Sequence, residues 1–65
     1  MEWLVKARGK RTQQSVADAV GMSQSGYASI ETGARRPSVD TAKRIAAVLG
    51  FQWTRFFEEE KEEVS

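Results

Sequence analysis

Thr12–Gly33, TQQSVADAVGMSQSGYASIETG, is the stretch that decides the fold of this chain. Thr12 is a good N-cap, because its hydroxyl can accept an amide hydrogen that the first turn of a helix leaves unbonded. From Gln13 onward, Val16, Ala17 and Val20 fall on one helical face, and Gly21 ends the helix. Ser23 caps a second short helix, where Tyr27 and Ile30 are the apolar pair and Gly33 is the stop. Only Gly21-Met22-Ser23 joins the two. Apolar residues recur at Val16, Val20, Met22, Tyr27 and Ile30, with a small residue at Ala17 and a glycine at Gly21. Ala17 lets the second helix cross close over the first. Gly21 takes the positive φ that a sharp turn needs at no steric cost. Seven such positions between Gln13 and Glu31 define a helix-turn-helix rather than a generic helical hairpin.

Outward from this unit the helical spacing continues. Trp3, Leu4 and Ala7 predict a first helix from Glu2 to about Arg8, stopped at Gly9. Pro37 biases Arg36 away from helical geometry, so residues 33–37 form a loop. Ser38 caps a fourth helix whose buried stripe is Val39, Ala42, Ile45, Ala46 and Leu49, ending at Gly50. A fifth helix starts near Gln52 and carries Trp53, Phe56 and Phe57. No stretch shows the alternation of a strand. The expected fold is all-α: a compact five-helix bundle over residues 1–57, followed by a frayed acidic tail at 58–65. A chain of 65 residues makes one domain, and at that size folding buries only about 60% of the unfolded surface.

The composition excludes several functions. There is no cysteine and no histidine, which removes disulfides, thiolate metal sites and the commonest general base and metal ligand. The acids are scattered or gathered in the tail, and no Gly-rich phosphate loop appears, so an enzyme is not expected. No cofactor and no metal are expected. The longest apolar stretch, Ile45 to Phe51, is far short of the ~20 residues of a membrane span. The start of the chain lacks the apolar core of a signal peptide, so the expected location is cytoplasmic. The formal net charge of +1 conceals a division: residues 1–57 carry +5 and the last eight carry −4. A basic body either meets a polyanion or is an ordinary solvated surface.

Residues 12–57 resemble the phage Cro and repressor type of helix-turn-helix, also called XRE-like. The resemblance rests on Thr12-Gln13-Gln14-Ser15-Val16-Ala17, Met22-Ser23-Gln24-Ser25 and Ile30-Glu31-Thr32-Gly33. It continues through Arg36-Pro37-Ser38, Ile45-Ala46 and Val48-Leu49-Gly50. It implies sequence-specific binding to double-stranded DNA, usually as a dimer, and control of transcription. It also implies that Gln13 contacts a phosphate and braces Gln24. Glu31 becomes a structural acid paired with a base of the first helix. Gap-free matching puts Lys6 there, and a shift of that helix puts Arg8 there instead. Two departures stand out: Arg11 occupies a position that is usually apolar, and Gly9-Lys10 inverts the usual order of the connection.

The surface of the second motif helix agrees with a DNA-facing role. Ser23, Gln24, Ser25, Gly26, Ala28 and Ser29 surround Tyr27 with small, uncharged side chains, which suits insertion into the major groove. Gln24 is the leading base reader, because its amide can pair with adenine N6 and N7. Ser25 and Ser29 reach base edges or phosphates, or are plain surface. Gly26 either avoids a collision of a Cβ with DNA or is a neutral glycine. Lys10, Arg11, Arg35 and Arg36 flank the motif as phosphate contacts, joined by Gln13 and by Thr12 and Ser23 at the helix N-termini.

Phe51, Trp53, Phe56 and Phe57 exceed what a core of this size needs. Trp53, Phe56 and Phe57 are therefore candidates for a dimer interface, unless all four aromatics finish the monomer core. The expected function is a DNA-binding transcriptional regulator, most simply a repressor, acting as a homodimer on an inverted-repeat operator. The alternative is a protein-interaction module, such as an antitoxin or an adaptor, held to its partner by the aromatic C-terminus.

Overall fold

The computed structural model describes residues 1–58. It is an all-α bundle. Helix α1 spans Glu2–Arg8, α2 Gln13–Val20, α3 Gln24–Thr32 and α4 Val39–Leu49. A short fifth helix, α5, begins at residue 55. The three hydroxyl caps form as the sequence predicts. Thr12 accepts from the Ser15 amide (3.0 Å), Ser23 from Gly26 (3.1 Å) and Ser38 from Thr41 (3.2 Å). Each satisfies an amide that the helix itself cannot. Gly21, at φ 88°, takes the left-handed conformation that reverses the chain between α2 and α3.

The helices close around Leu4, Val16, Ala17, Val20, Tyr27, Ile30, Ala42, Ile45 and Phe56. Helix α2 packs on both α3 and α4, and α1 packs on α3. Ala17 is fully buried, as the close crossing of α2 and α3 requires. Val39 does not join the predicted α4 stripe, because it remains 49% exposed at the first residue of that helix. There the chain is just entering from the Pro37 loop, and the side chain precedes the turn that faces the core.

The C-terminal aromatics divide into two groups. Trp3, Phe51 and Phe56 form a triangle of edge-on rings with centroids 5.2–5.5 Å apart. Edge-to-face contacts at this separation are favourable beyond the area they bury. Phe56 is 5% exposed, so it belongs to the monomer core and is not available to a dimer interface. Trp53 and Phe57 form a second, half-buried pair at 6.0 Å that packs against the edge of the core. Helix α5 starts about three residues later than expected. Residues 52–57 enter it through i→i−3 bonds, Arg55 to Gln52, Phe56 to Trp53 and Phe57 to Thr54, which turn the chain tightly so that Phe56 points inward. Glu58 is still helical, and the rest of the tail expected at 58–65 lies outside the described residues.

Replacing Phe56 with alanine should remove about 3–5 kcal/mol, which is comparable to the whole stability that a single small core supplies. Circular dichroism at 25 °C should show a largely unfolded Phe56→Ala chain, whereas Phe57→Ala should keep a cooperative thermal transition.

Candidate nucleic-acid interface

The site is built around one buried carboxylate. Glu31 lies near the end of α3 and is 4% exposed. Arg8 Nε donates to Glu31 Oε2 at 2.7 Å, and Gln13 Nε2 donates to Oε1 at 2.8 Å. Arg8 therefore fills the place that gap-free matching gives to Lys6. Lys6 is exposed, on the outward side of α1. The end of α1, the residue just before the Gly9 turn, is what reaches α3. The Met1 amine also donates to the Glu31 backbone carbonyl. Burial by itself would raise the Glu31 pKa, but the hydrogen bonds from Gln13 and Arg8, with the Arg8 charge, outweigh it and hold the group below the usual carboxylate range. The Tyr27 hydroxyl is buried without a well-aligned hydrogen bond. Burial, first, and then the neighbouring Glu31 carboxylate push the phenol well above its ordinary value and keep it neutral.

From Glu31 a chain of hydrogen bonds leads to the surface. Gln13 accepts from Gln24 Nε2 at 3.3 Å. Gln24 is exposed at the first turn of α3, beside exposed Ser25. Ser29 is half-buried, and its hydroxyl donates to the Ser25 backbone carbonyl at 3.0 Å. The Thr12 and Ser23 hydroxyls are both engaged as caps. Gly26 has close neighbours within the chain that the sequence alone does not reveal. It is buried, and a Cβ there would lie 3.1 Å from Ser23 Oγ and 3.4 Å from Met22 Cε, crowding the cap of its own helix. It also lines the groove beside Arg35 and Arg36.

The cations are not equivalent. Arg11 Nη1 donates to the Val48 carbonyl at 3.1 Å, at the C-terminal end of α4, where a positive charge also meets the negative end of the helix dipole. That gives an arginine in a position expected to be apolar a partner within the fold. Arg55 lies over the Trp3 ring at 4.8 Å and Lys43 over Trp53 at 5.2 Å. Arg44 pairs with Asp40 at 3.4 Å. Lys10, Arg35 and Arg36 are exposed on the two loops that flank the motif. Arg35 and Arg36, with Ser23 and Ser38, line a groove of about 340 Å³ between the starts of α3 and α4 that has no acidic residue in its wall. Among the described residues no cluster of acids suits a metal ion, and no helix is long and apolar enough to cross a membrane.

A family model described as Helix-turn-helix matches residues 3–56. The chain is 45% identical over 60 residues to an uncharacterized HTH-type transcriptional regulator, YqaF of Bacillus subtilis (strain 168). That alignment covers 89% of this chain and 79% of the relative. No solved structure matches the chain. The chain belongs to the XRE family of helix-turn-helix proteins. It is a DNA-binding regulator of transcription and not an enzyme.

Removing Arg8 leaves Glu31 charged and buried without a cation, which should cost about 3–5 kcal/mol near neutral pH. Because the folded pKa of Glu31 is depressed, its contribution is complete above the unfolded value of about 4.3 and is lost as pH falls through the folded value. Urea titrations across pH 3 to 7 should therefore show the gap between wild type and Arg8→Ala narrowing on acidification. A gap that is constant with pH would mean that Arg8 acts by packing alone.

Proposed function

We propose that this regulator is a repressor that lays α3 into the major groove of an inverted-repeat operator and binds there as a homodimer. The observation that carries the reading is the outer face of α3. It presents Gln24 and Ser25 to solvent without a charge, while Lys10, Arg35 and Arg36 stand on the loops to either side. An inserted helix needs small, hydrogen-bonding side chains along its edge and cations at its margins. Gln24 and Ser25 read base edges. Ser29, tied to its own helix backbone, is a secondary contact. Gln13, Lys10, Arg35 and Arg36 meet phosphates. Thr12 and Ser23 serve by aiming the amide ends of α2 and α3 at the backbone. The acid-free groove beside Arg35 and Arg36 suits a sugar-phosphate strand. With Phe56 absorbed by the core, the half-buried Trp53 and Phe57 are the patch for a second copy. Repression by occupancy requires nothing beyond binding itself, and the cytoplasm is where it would act.

The experiment is a pull-down of fragmented genomic DNA at physiological salt, followed by sequencing. An enriched inverted repeat is expected, with half-sites about 10 base pairs apart centre to centre. Failure to enrich any sequence, with binding that vanishes at modest salt, would turn attention to a protein partner at Trp53 and Phe57. On the enriched site, Arg35→Ala and Arg36→Ala should each weaken all duplexes alike and lower the slope of log K against log salt by about one. An unchanged slope would remove that residue from the phosphate set.

A further inference from the structure

We propose that Glu31, acting through Gln13, is a positioning residue that sets the donor and acceptor polarity of Gln24 and so selects adenine over guanine at the base pair Gln24 meets. The inference rests on the reading of α3 as the base-reading helix, and it goes further by naming what decides the base.

Hydrogen-bond polarity passes from Glu31 through Gln13 to Gln24. An ionised carboxylate can only accept, so Gln13 must face Glu31 with its amide nitrogen, 2.8 Å from Oε1. Arg8 keeps that carboxylate in place and charged from the other side, at 2.7 Å. With Nε2 turned inward, Gln13 turns its carbonyl oxygen outward, and this oxygen can also only accept. Gln24 therefore meets it with Nε2, at 3.3 Å. One of the two hydrogens on Gln24 Nε2 is then committed within the protein. One N–H and one carbonyl oxygen remain for DNA. The major-groove edge of adenine offers one acceptor, N7, and one donor, N6, which is the complement of that pair. Guanine offers two acceptors, N7 and O6, and Gln24 has only one donor left for them. A neutral amide at position 31 would relax the constraint, because Gln13 could then turn over and donate to the Gln24 carbonyl. Both Gln24 hydrogens would become available, and guanine would gain. The buried acid thus reaches a base that it never touches.

The test measures wild type, Gln24→Ala, Gln13→Leu and Glu31→Gln on duplexes carrying each of the four base pairs at every position of the enriched half-site. Gln24→Ala identifies the position concerned, as the pair at which preference flattens. There the wild type should prefer adenine, and the adenine-to-guanine ratio should fall about tenfold in Gln13→Leu and Glu31→Gln. The ratio cancels any uniform loss from a missing phosphate contact. Gln13→Leu leaves the Arg8–Glu31 pair intact, so the proposal remains testable if Glu31→Gln does not fold. As a second readout, the Gln24 side-chain amide resonances should follow the titration of Glu31 in the wild type and cease to do so in Gln13→Leu. An unchanged ratio in Gln13→Leu, or a wild-type preference for guanine, overturns the proposal while leaving Gln24 a base reader. If Gln24→Ala alters preference at no position, the base-reading role itself fails, and the inference with it.

Discussion

The buried carboxylate of Glu31 is the constraint on which the remainder of the domain depends. A charge taken out of water is tolerated only when its lone pairs are met by well-placed donors. Here the donors come from different helices: Arg8 from α1 and Gln13 from α2, converging on a residue of α3. The carboxylate therefore dictates how three helices sit relative to one another, which apolar packing alone would leave free to slide. It also joins the part of the molecule that holds shape to the part that faces outward, because Gln13 is bonded to both Glu31 and Gln24.

The positive charge of the domain is less a field than a set of separate tasks. Arg8 answers a buried acid, Arg11 a helix terminus, and Arg55 and Lys43 the faces of indole rings. Those contacts draw cations inward or toward the C-terminal half. Lys10, Arg35 and Arg36 are exposed on the loops before α2 and after α3, and the two arginines share one groove. A modest excess of charge over the whole body thus includes an acid-free groove lined by two arginines.

Much of this was legible in the sequence, because the signals were local. Thr12, Ser23 and Ser38 cap their helices through bonds that span three residues, and Gly21 answers a single dihedral angle. The family resemblance added Glu31 and its need for a partner on α1. What stayed hidden depends on contacts between distant parts of the chain. Whether Lys6 or Arg8 meets Glu31 turns on the rotation of a seven-residue helix, which its own pattern does not specify. The partition of the aromatics turns on Trp3, more than fifty residues from Phe56, and Arg11 turns on a carbonyl of α4. Gly26 stood out in the sequence as a glycine within a helix, but its closeness to the cap hydroxyl of that helix and to Met22 shows only in three dimensions. Val39 had the spacing of a core residue, but stood too early in its helix to reach the core.

The aromatic triangle carries a consequence for the order of events during folding. Helices α2 and α3 are neighbours in sequence and their contacts close short loops, whereas the contacts of Trp3 with Phe51 and Phe56 close nearly the whole chain. Loop closure over that distance is the slower and entropically costlier step. Helices α2 and α3 are accordingly expected to assemble early, and the meeting of Trp3 with Phe51 and Phe56 to be the late event and the first to come undone. Loss of ring contacts there would then be felt mainly as faster unfolding, with the rate of folding little changed.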